Sequence, residues 1–176
     1  MTQELLSLKV VDARALNPLI RQLRLTHHDG TVLPGYSAGA HLRVQVMLPD
    51  GSADWRHYSL ISFSTDRTAL DAPLEYVIAV RLEDTGRGGS RFMHERVQVG
   101  DTLTVEAPKN EFPLRELDDP AVLIAGGIGI TPLTSMAAQR RAEGRRVRLH
   151  YAGRSRNVKQ HSKKINPVVV KLHNFL

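Results

Sequence analysis

The chain has no cysteine among its 176 residues. That excludes a disulfide framework, a thiolate-held iron–sulfur cluster and a cysteine-type zinc site within this chain. Aromatic residues make up only 5%, with a single tryptophan. Surfaces that grip single-stranded nucleic acid interleave cations with stacking aromatics, so the scarcity argues against them. No stretch approaches the roughly 20 consecutive apolar residues of a membrane-spanning helix. The opening Met-Thr-Gln-Glu lacks the basic start and apolar core of a signal peptide. The expectation is a cytoplasmic protein with neither a nucleic-acid nor a membrane partner.

Acidic residues are missing from one place. Residues 1–156 carry 20 Lys+Arg against 18 Asp+Glu, whereas residues 157–176 carry four Lys and no acid. The formal charge of +6 therefore comes mostly from the end of the chain. Up to Arg156 there are 18 Arg and two Lys; beyond it there is no Arg. Residues 157–176 are expected to be a divergent basic tail, either a foreign or frame-shifted end or a genuine basic extension. The rest has the apolar content of a packed globular chain, long enough for one medium domain or a small domain plus part of a second.

Residues 1–114 alternate with the period of a half-buried strand. Leu6, Leu8 and Val10 do so; Leu19, Arg21, Leu23 and Leu25 share one face; Leu42, Val44 and Val46 share another. Leu74–Val80 and Leu103–Val105 are further strands. Turn signals such as Pro49-Asp50-Gly51 separate them. The pattern predicts a small barrel or sandwich. Residues 115–120 read as a linker. Ala121–Ala125 reads as a buried strand, Pro132–Glu143 as a helix stopped by Gly144, and Val147–Ala152 as a second strand, giving one right-handed β–α–β unit over 121–156.

Three stretches carry chemistry. Arg56-His57-Tyr58-Ser59 offers a cation, a ring and a hydroxyl, with Arg56 and Tyr58 on one face of an extended segment and Ser59 on the other. Such groups suit a flavin mononucleotide, with the guanidinium on its phosphate; an ordinary edge strand with a surface arginine is the alternative. Gly86-Arg87-Gly88-Gly89-Ser90 precedes a short helix, where Ser90 would cap it or bond a phosphate; a plain hairpin loop is the alternative. Gly126-Gly127-Ile128-Gly129-Ile130-Thr131-Pro132 follows a strand and opens a helix, as phosphate-binding corners do, or else is a tight turn without a ligand. Leu133, Met136 and Ala137 read as the core face of that helix. His27, His28 and His150 lack metal-ligand spacing, so no metal site is expected.

In this order, the three stretches resemble the ferredoxin–NADP reductase superfamily, within it the phthalate dioxygenase reductase and vanillate demethylase reductase group. Ser37-Ala38-Gly39-Ala40-His41 and Asn110-Glu111-Phe112-Pro113-Leu114 add to the resemblance, which covers about residues 5–156. It implies a flavin-binding β-barrel (1–114) followed by a partial α/β, Rossmann-like nucleotide-binding domain (121–156). The implied flavin is FMN in preference to FAD, with NAD(P)H as electron donor. Arg56 would bind the flavin phosphate, Tyr58 pack against the ring and Ser59 bond near its reactive edge. Ala79, Val80 and Arg81 would pass the flavin, and Gly88, Gly89 and Ser90 would hold its phosphate. Gly126, Gly127, Gly129 and Thr131 would line the nicotinamide site.

The implied activity is hydride transfer to flavin, with electrons passing singly to an iron–sulfur domain or ferredoxin and then to a terminal oxygenase. No catalytic side chain is required. Against the group's pattern, the nucleotide domain stops after one β–α–β unit and the four-cysteine 2Fe-2S domain is absent from this chain. The chain is therefore expected to be truncated, to bind flavin, and to bind nicotinamide weakly or not at all. A flavin-binding barrel without turnover is the alternative. The partial sheet is expected to leave an open edge and an uncovered apolar helix face. Arg154 and Arg156 lie where a 2′-phosphate would be read.

Overall fold

The computed structural model describes residues 4–66, 68–115 and 120–153, with the backbone of 168–171. Most of the expected linker, most of the expected tail, and Arg154 and Arg156 lie outside the described residues.

Six strands form one antiparallel sheet: β1 (Leu5–Asn17), β2 (Ile20–Thr26), β3 (His41–Met47), β4 (Ala53–Ser59), β5 (Tyr76–Arg81) and β6 (Thr102–Lys109). Their order is β4-β3-β6-β1-β2-β5. The period of two puts Leu6, Leu8 and Val10 of β1 into one core with Leu23 and Leu25, Leu42, Val44 and Val46, Ile78 and Val80, and Leu103 and Val105. Burying each such side chain stabilises the fold by about 1.5–3 kcal/mol before chain entropy is counted.

The ladder is open where the sequence predicted a barrel. Its end strands, β4 and β5, are not paired with each other. Ile61, just beyond β4, donates its backbone N–H to the Val77 carbonyl of β5 at 2.9 Å. Between β5 and β6 a short helix, α1 (Gly89–Glu95), plugs Met93 into the core. Arg21, only 9% exposed, donates one guanidinium nitrogen to the Met93 and His94 carbonyls at 2.9 and 2.7 Å. His94 donates Nε2–H to the Val80 carbonyl at 2.9 Å. The end of α1 is thus fastened to β2 and β5.

The second sheet has the order β7-β8-β9, from β7 (Ala121–Gly126), β8 (Val147–Gly153) and β9 (Val168–Lys171). β7 and β8 are parallel and joined through α2 (Ile130–Ala142), as the β–α–β pattern requires. After α2, Gly144 donates to the Arg141 carbonyl and Arg145 to the Arg140 carbonyl, which satisfies two helix-end acceptors.

The short apolar run at 168–170 lies in a strand antiparallel to β8, within the stretch expected as a divergent basic tail. Two expectations are corrected. β7 is not buried on both faces: Ala121, Leu123 and Ala125 are covered, whereas Val122 and Ile124 are 52% and 76% exposed. The uncovered apolar surface therefore belongs to the sheet and not to the helix. Leu133, Met136 and Ala137 of α2 are buried with Leu123, Ala125 and Ala38.

Candidate functional site

β4 pairs with β3 so that Asp54, Arg56 and Tyr58 stand opposite Val46, Val44 and Leu42. Directly opposed residues project from the same face. These three polar residues therefore share the face of the core. Trp55, His57 and Ser59 stand opposite Gln45, Arg43 and His41 on the other face. Arg56 and Tyr58 lie on one side and Ser59 on the other, as the strand period predicts. The structure does not bring the Ser59 side chain to Arg56 and Tyr58.

Arg56 is no surface arginine; its side chain is 22% exposed. One of its terminal nitrogens donates to Asp54 Oδ2 at 2.6 Å and to its neighbour's Trp55 carbonyl at 2.8 Å. Asp54 Oδ1 also accepts the Trp55 backbone N–H at 2.8 Å. The Arg56 bond, the Trp55 bond and the nearby charges of Arg56 and Arg87 together hold the Asp54 carboxyl below its ordinary range. Tyr58 packs against the core, and burial pushes its phenol up to about 12. It is a neutral ring at any physiological pH.

The Gly88-Gly89 segment lies against Arg56. A Cβ on Gly89 would stand 2.7 Å from Arg56 Nε and 3.2 Å from a Val46 methyl. Gly88 has φ +100, and a Cβ there would meet the Pro49 ring at 2.6 Å. Only glycine supplies both that conformation and that closeness. Ser90 does not cap α1. It lies inside the helix, and its hydroxyl accepts the Glu83 backbone N–H at 3.1 Å.

On β5, Val80 faces the core opposite Arg21 and is buried. Ala79 and Arg81 take the opposite face, and Arg81 pairs with Glu83 at 3.3 Å.

At the second corner, Gly126 ends β7 in an extended conformation and Gly127–Gly129 form one 3-10 turn before α2. Gly127 has φ +52, which explains that glycine. Gly126 and Gly129 have ordinary backbone angles, and a Cβ on either would meet nothing within 4 Å. Neither conformation nor packing within the described residues requires them. Their backbone is open to close approach from outside. Thr131 is turned inward; its hydroxyl donates to the Ile128 carbonyl at 3.0 Å and tightens the corner. α2 is tied to the stretch after β4 through Ser135, which links the two motifs physically.

Residues 7–113 match the sequence family described as the oxidoreductase FAD-binding domain. The chain belongs to this FAD-binding family. It is 43% identical over 150 residues to phthalate dioxygenase reductase of Burkholderia cepacia, covering 85% of this chain and 44% of that protein. It is 40% identical over 151 residues to the heme-dependent oxidative N-demethylase beta subunit of Ectopseudomonas mendocina, covering 86% and 45%. Among solved structures, phthalate dioxygenase reductase superposes with a TM-score of 0.73 at 41% identity, covering 86% of this chain and 44% of that one. That structure is described as modular, for electron transfer from pyridine nucleotides to [2Fe-2S]. The resemblance to the phthalate dioxygenase reductase group is borne out. The chain spans about 45% of the length of the relatives it matches.

The residues of this chain fit a phosphate-bearing flavin. Beside β4 there are a half-buried guanidinium, a wall without a Cβ and a neutral ring on the same face. Sequence reasoning missed two residues here. Asp54 was signalled by the period of two, standing at i−2 from Arg56. Arg87 lay in a stretch already singled out, but its ion pair with Asp54, 3.0 Å, needs the loop's fold to be seen. Among the described residues, no group of three or more potential ligands could hold a metal, and no helix is long and apolar enough to cross a membrane.

Proposed function

We propose that this chain is the flavin-bearing part of an NAD(P)H-dependent oxidoreductase, the reductase component of an aromatic-ring oxygenase system. Its electrons would leave for an iron–sulfur domain or ferredoxin and then a terminal oxygenase. The arrangement of Asp54, Arg56 and Gly89 in a chain of this family carries the reading. A bound flavin would supply a hydride acceptor that gives up electrons one at a time. The chain's own residues bind and orient. Arg56 holds the phosphate, with the Gly88, Gly89 and Ser90 segment beside it. Tyr58 packs against the ring, and the family resemblance assigns Ser59, Ala79, Val80 and Arg81 to the flavin as well. Gly126, Gly127, Gly129 and Thr131 form the nicotinamide side, where the bare backbone of Gly126 and Gly129 lets a phosphate or ring approach. The flavin part would span 1–114, with its sheet wrapped as a barrel by the bond from Ile61 to Val77, and the nucleotide part 121–156.

FMN is the flavin proposed, on the group resemblance; the family's name points to FAD, and one titration decides. The purified chain is mixed with FMN and with FAD, and flavin fluorescence and Trp55 emission are followed. Tight binding of FMN supports the reading, and preference for FAD replaces FMN. NADH is then added without oxygen. Loss of the flavin's visible absorbance establishes hydride transfer from NADH to the flavin, the reductive half of turnover. Bound flavin that NADH leaves unbleached establishes the second reading, a flavin holder without turnover, which the bare face at Val122 and Ile124 favours. Absence of flavin binding overturns both.

A further inference from the structure

The glycine corner at 126–131 and the strands assigned to the flavin meet through one face of α2. Thr131 and Ser135 stand one turn apart on that helix, and both are buried. At the corner end, the Thr131 hydroxyl donates to the Ile128 carbonyl. One turn on, the Ser135 hydroxyl donates to the Leu60 carbonyl and accepts the Ser62 N–H, directly after Arg56-His57-Tyr58-Ser59. The 3-10 turn of the corner also comes within 8 Å of β5, Cα to Cα. We propose that Ser135 is a positioning residue for hydride transfer: it fixes the glycine corner against β4 and β5, and so sets the approach of the nicotinamide to the flavin. The inference rests on the flavin and nicotinamide reading above.

The segment that Ser135 grips is itself fixed to the first sheet. Leu60 donates its N–H to the Ala40 carbonyl, just before β3, and Ile61 donates to Val77 of β5, each at 2.9 Å. Met136, next to Ser135, packs in the second core with Ala38. A Cβ on Gly39 would stand 2.8 Å from its terminal methyl. Apolar contacts of this kind hold α2 down but are non-directional. Two hydrogen bonds on one hydroxyl fix direction as well, and with it the register of helix on strand. The reaction needs that register. A hydride leaves the nicotinamide, which is oxidised, for the flavin, which is reduced and takes one proton from water. A misplacement of about 1 Å can slow such a step about a hundredfold.

The test uses the full 176-residue chain and has two readouts. The chain has no cysteine, so Ser7→Cys and Arg141→Cys place spin labels at two exposed points, one on β1 and one near the end of α2. The parent is expected to give one narrow distance distribution and Ser135→Ala a broader or displaced one. Ser135→Thr, which keeps the hydroxyl, is expected to match the parent. In the unlabelled chain loaded with FMN, NADH is added without oxygen. Ser135→Ala is expected to slow flavin bleaching at saturating NADH about tenfold or more, with FMN affinity and half-saturating NADH changed by less than about twofold. Ser135→Thr restores the rate. Should Ser135→Ala not fold, Ser135→Cys, with its weak donor in a similar volume, replaces it in the kinetics with the same expectation. A parent-like distance distribution or a parent-like rate in the variant lacking the hydroxyl overturns the proposal, and so does Ser135→Thr as slow as Ser135→Ala. If NADH does not bleach the parent's flavin, the turnover reading fails and this inference with it.

Discussion

The hydroxyl of Ser135 in α2 donates to the Leu60 carbonyl at 2.8 Å, and it accepts the Ser62 backbone N–H at 2.9 Å. One side chain thus satisfies two backbone groups of the segment that follows Arg56-His57-Tyr58-Ser59. It does so from the helix that follows the glycine corner. Ser135 is 1% exposed, so water is a poor substitute. Ser135→Ala is expected to cost about 1–3 kcal/mol, the range for leaving buried partners unsatisfied, seen as a lower urea midpoint.

Gly89→Ala separates binding from folding. Alanine is the better helix former by about 1 kcal/mol. Its Cβ, however, would stand 2.7 Å from Arg56 Nε, and the guanidinium must move. Weaker FMN binding with the thermal midpoint nearly unchanged is the expected result. Unaltered FMN affinity would show that Arg56 is not where the phosphate sits.

Gly126→Ala and Gly129→Ala test the other corner. Neither added methyl meets anything within 4 Å, so stability should stay within about 0.5 kcal/mol. If a nicotinamide nucleotide approaches this backbone, the NADH concentration needed for half-maximal flavin reduction rises in both variants. Two alanines that change neither stability nor NADH response would leave the corner a turn and nothing more.

Acid should loosen the fold through His41. Its ring stacks on His57 at 4.8 Å. Burial first, then His57, Lys109 and Arg43, lower its pKa, with Glu111 opposing. The unfolded imidazole, titrating near 6.5, takes up a proton that the folded one resists. The contribution is therefore complete above that pH and is lost as pH falls through and below it. The urea midpoint should drop between about pH 8 and pH 5, and His41→Phe should flatten the drop. An equal slope in parent and variant would remove His41 as the cause.

Much of the fold was legible because one face of each strand is buried. The alternation of Leu23 with Gln22, or Val44 with Arg43, is the imprint of a core on one side and solvent on the other. Arg21 was placed on the right face by period alone, although its task at the end of α1 depends on a helix 72 residues away. The paired glycines were visible, but not which of them were forced. Gly127 answers to its backbone angle and Gly89 to the nearness of Arg56, whereas Gly126 and Gly129 answer to neither. Sequence does not say how a sheet's ends meet, because alternation fixes the face of a residue and not its neighbour across the ladder. It also misjudged β7, since an apolar run reads the same whether one face or both are covered.

The register of β1 sets an order of events during synthesis. Leu5 lies opposite Glu106 and Lys9 opposite Thr102, so β6 must leave the ribosome before that side of β1 has a partner. Distant pairings of this kind fold slowly. β2 emerges early but matches only the stretch of β1 from Lys9 onward. Leu6 and Leu8 therefore wait on an unpaired edge while nearly a hundred further residues are made. Nascent chains halted before residue 102 should be the form that chaperones hold longest.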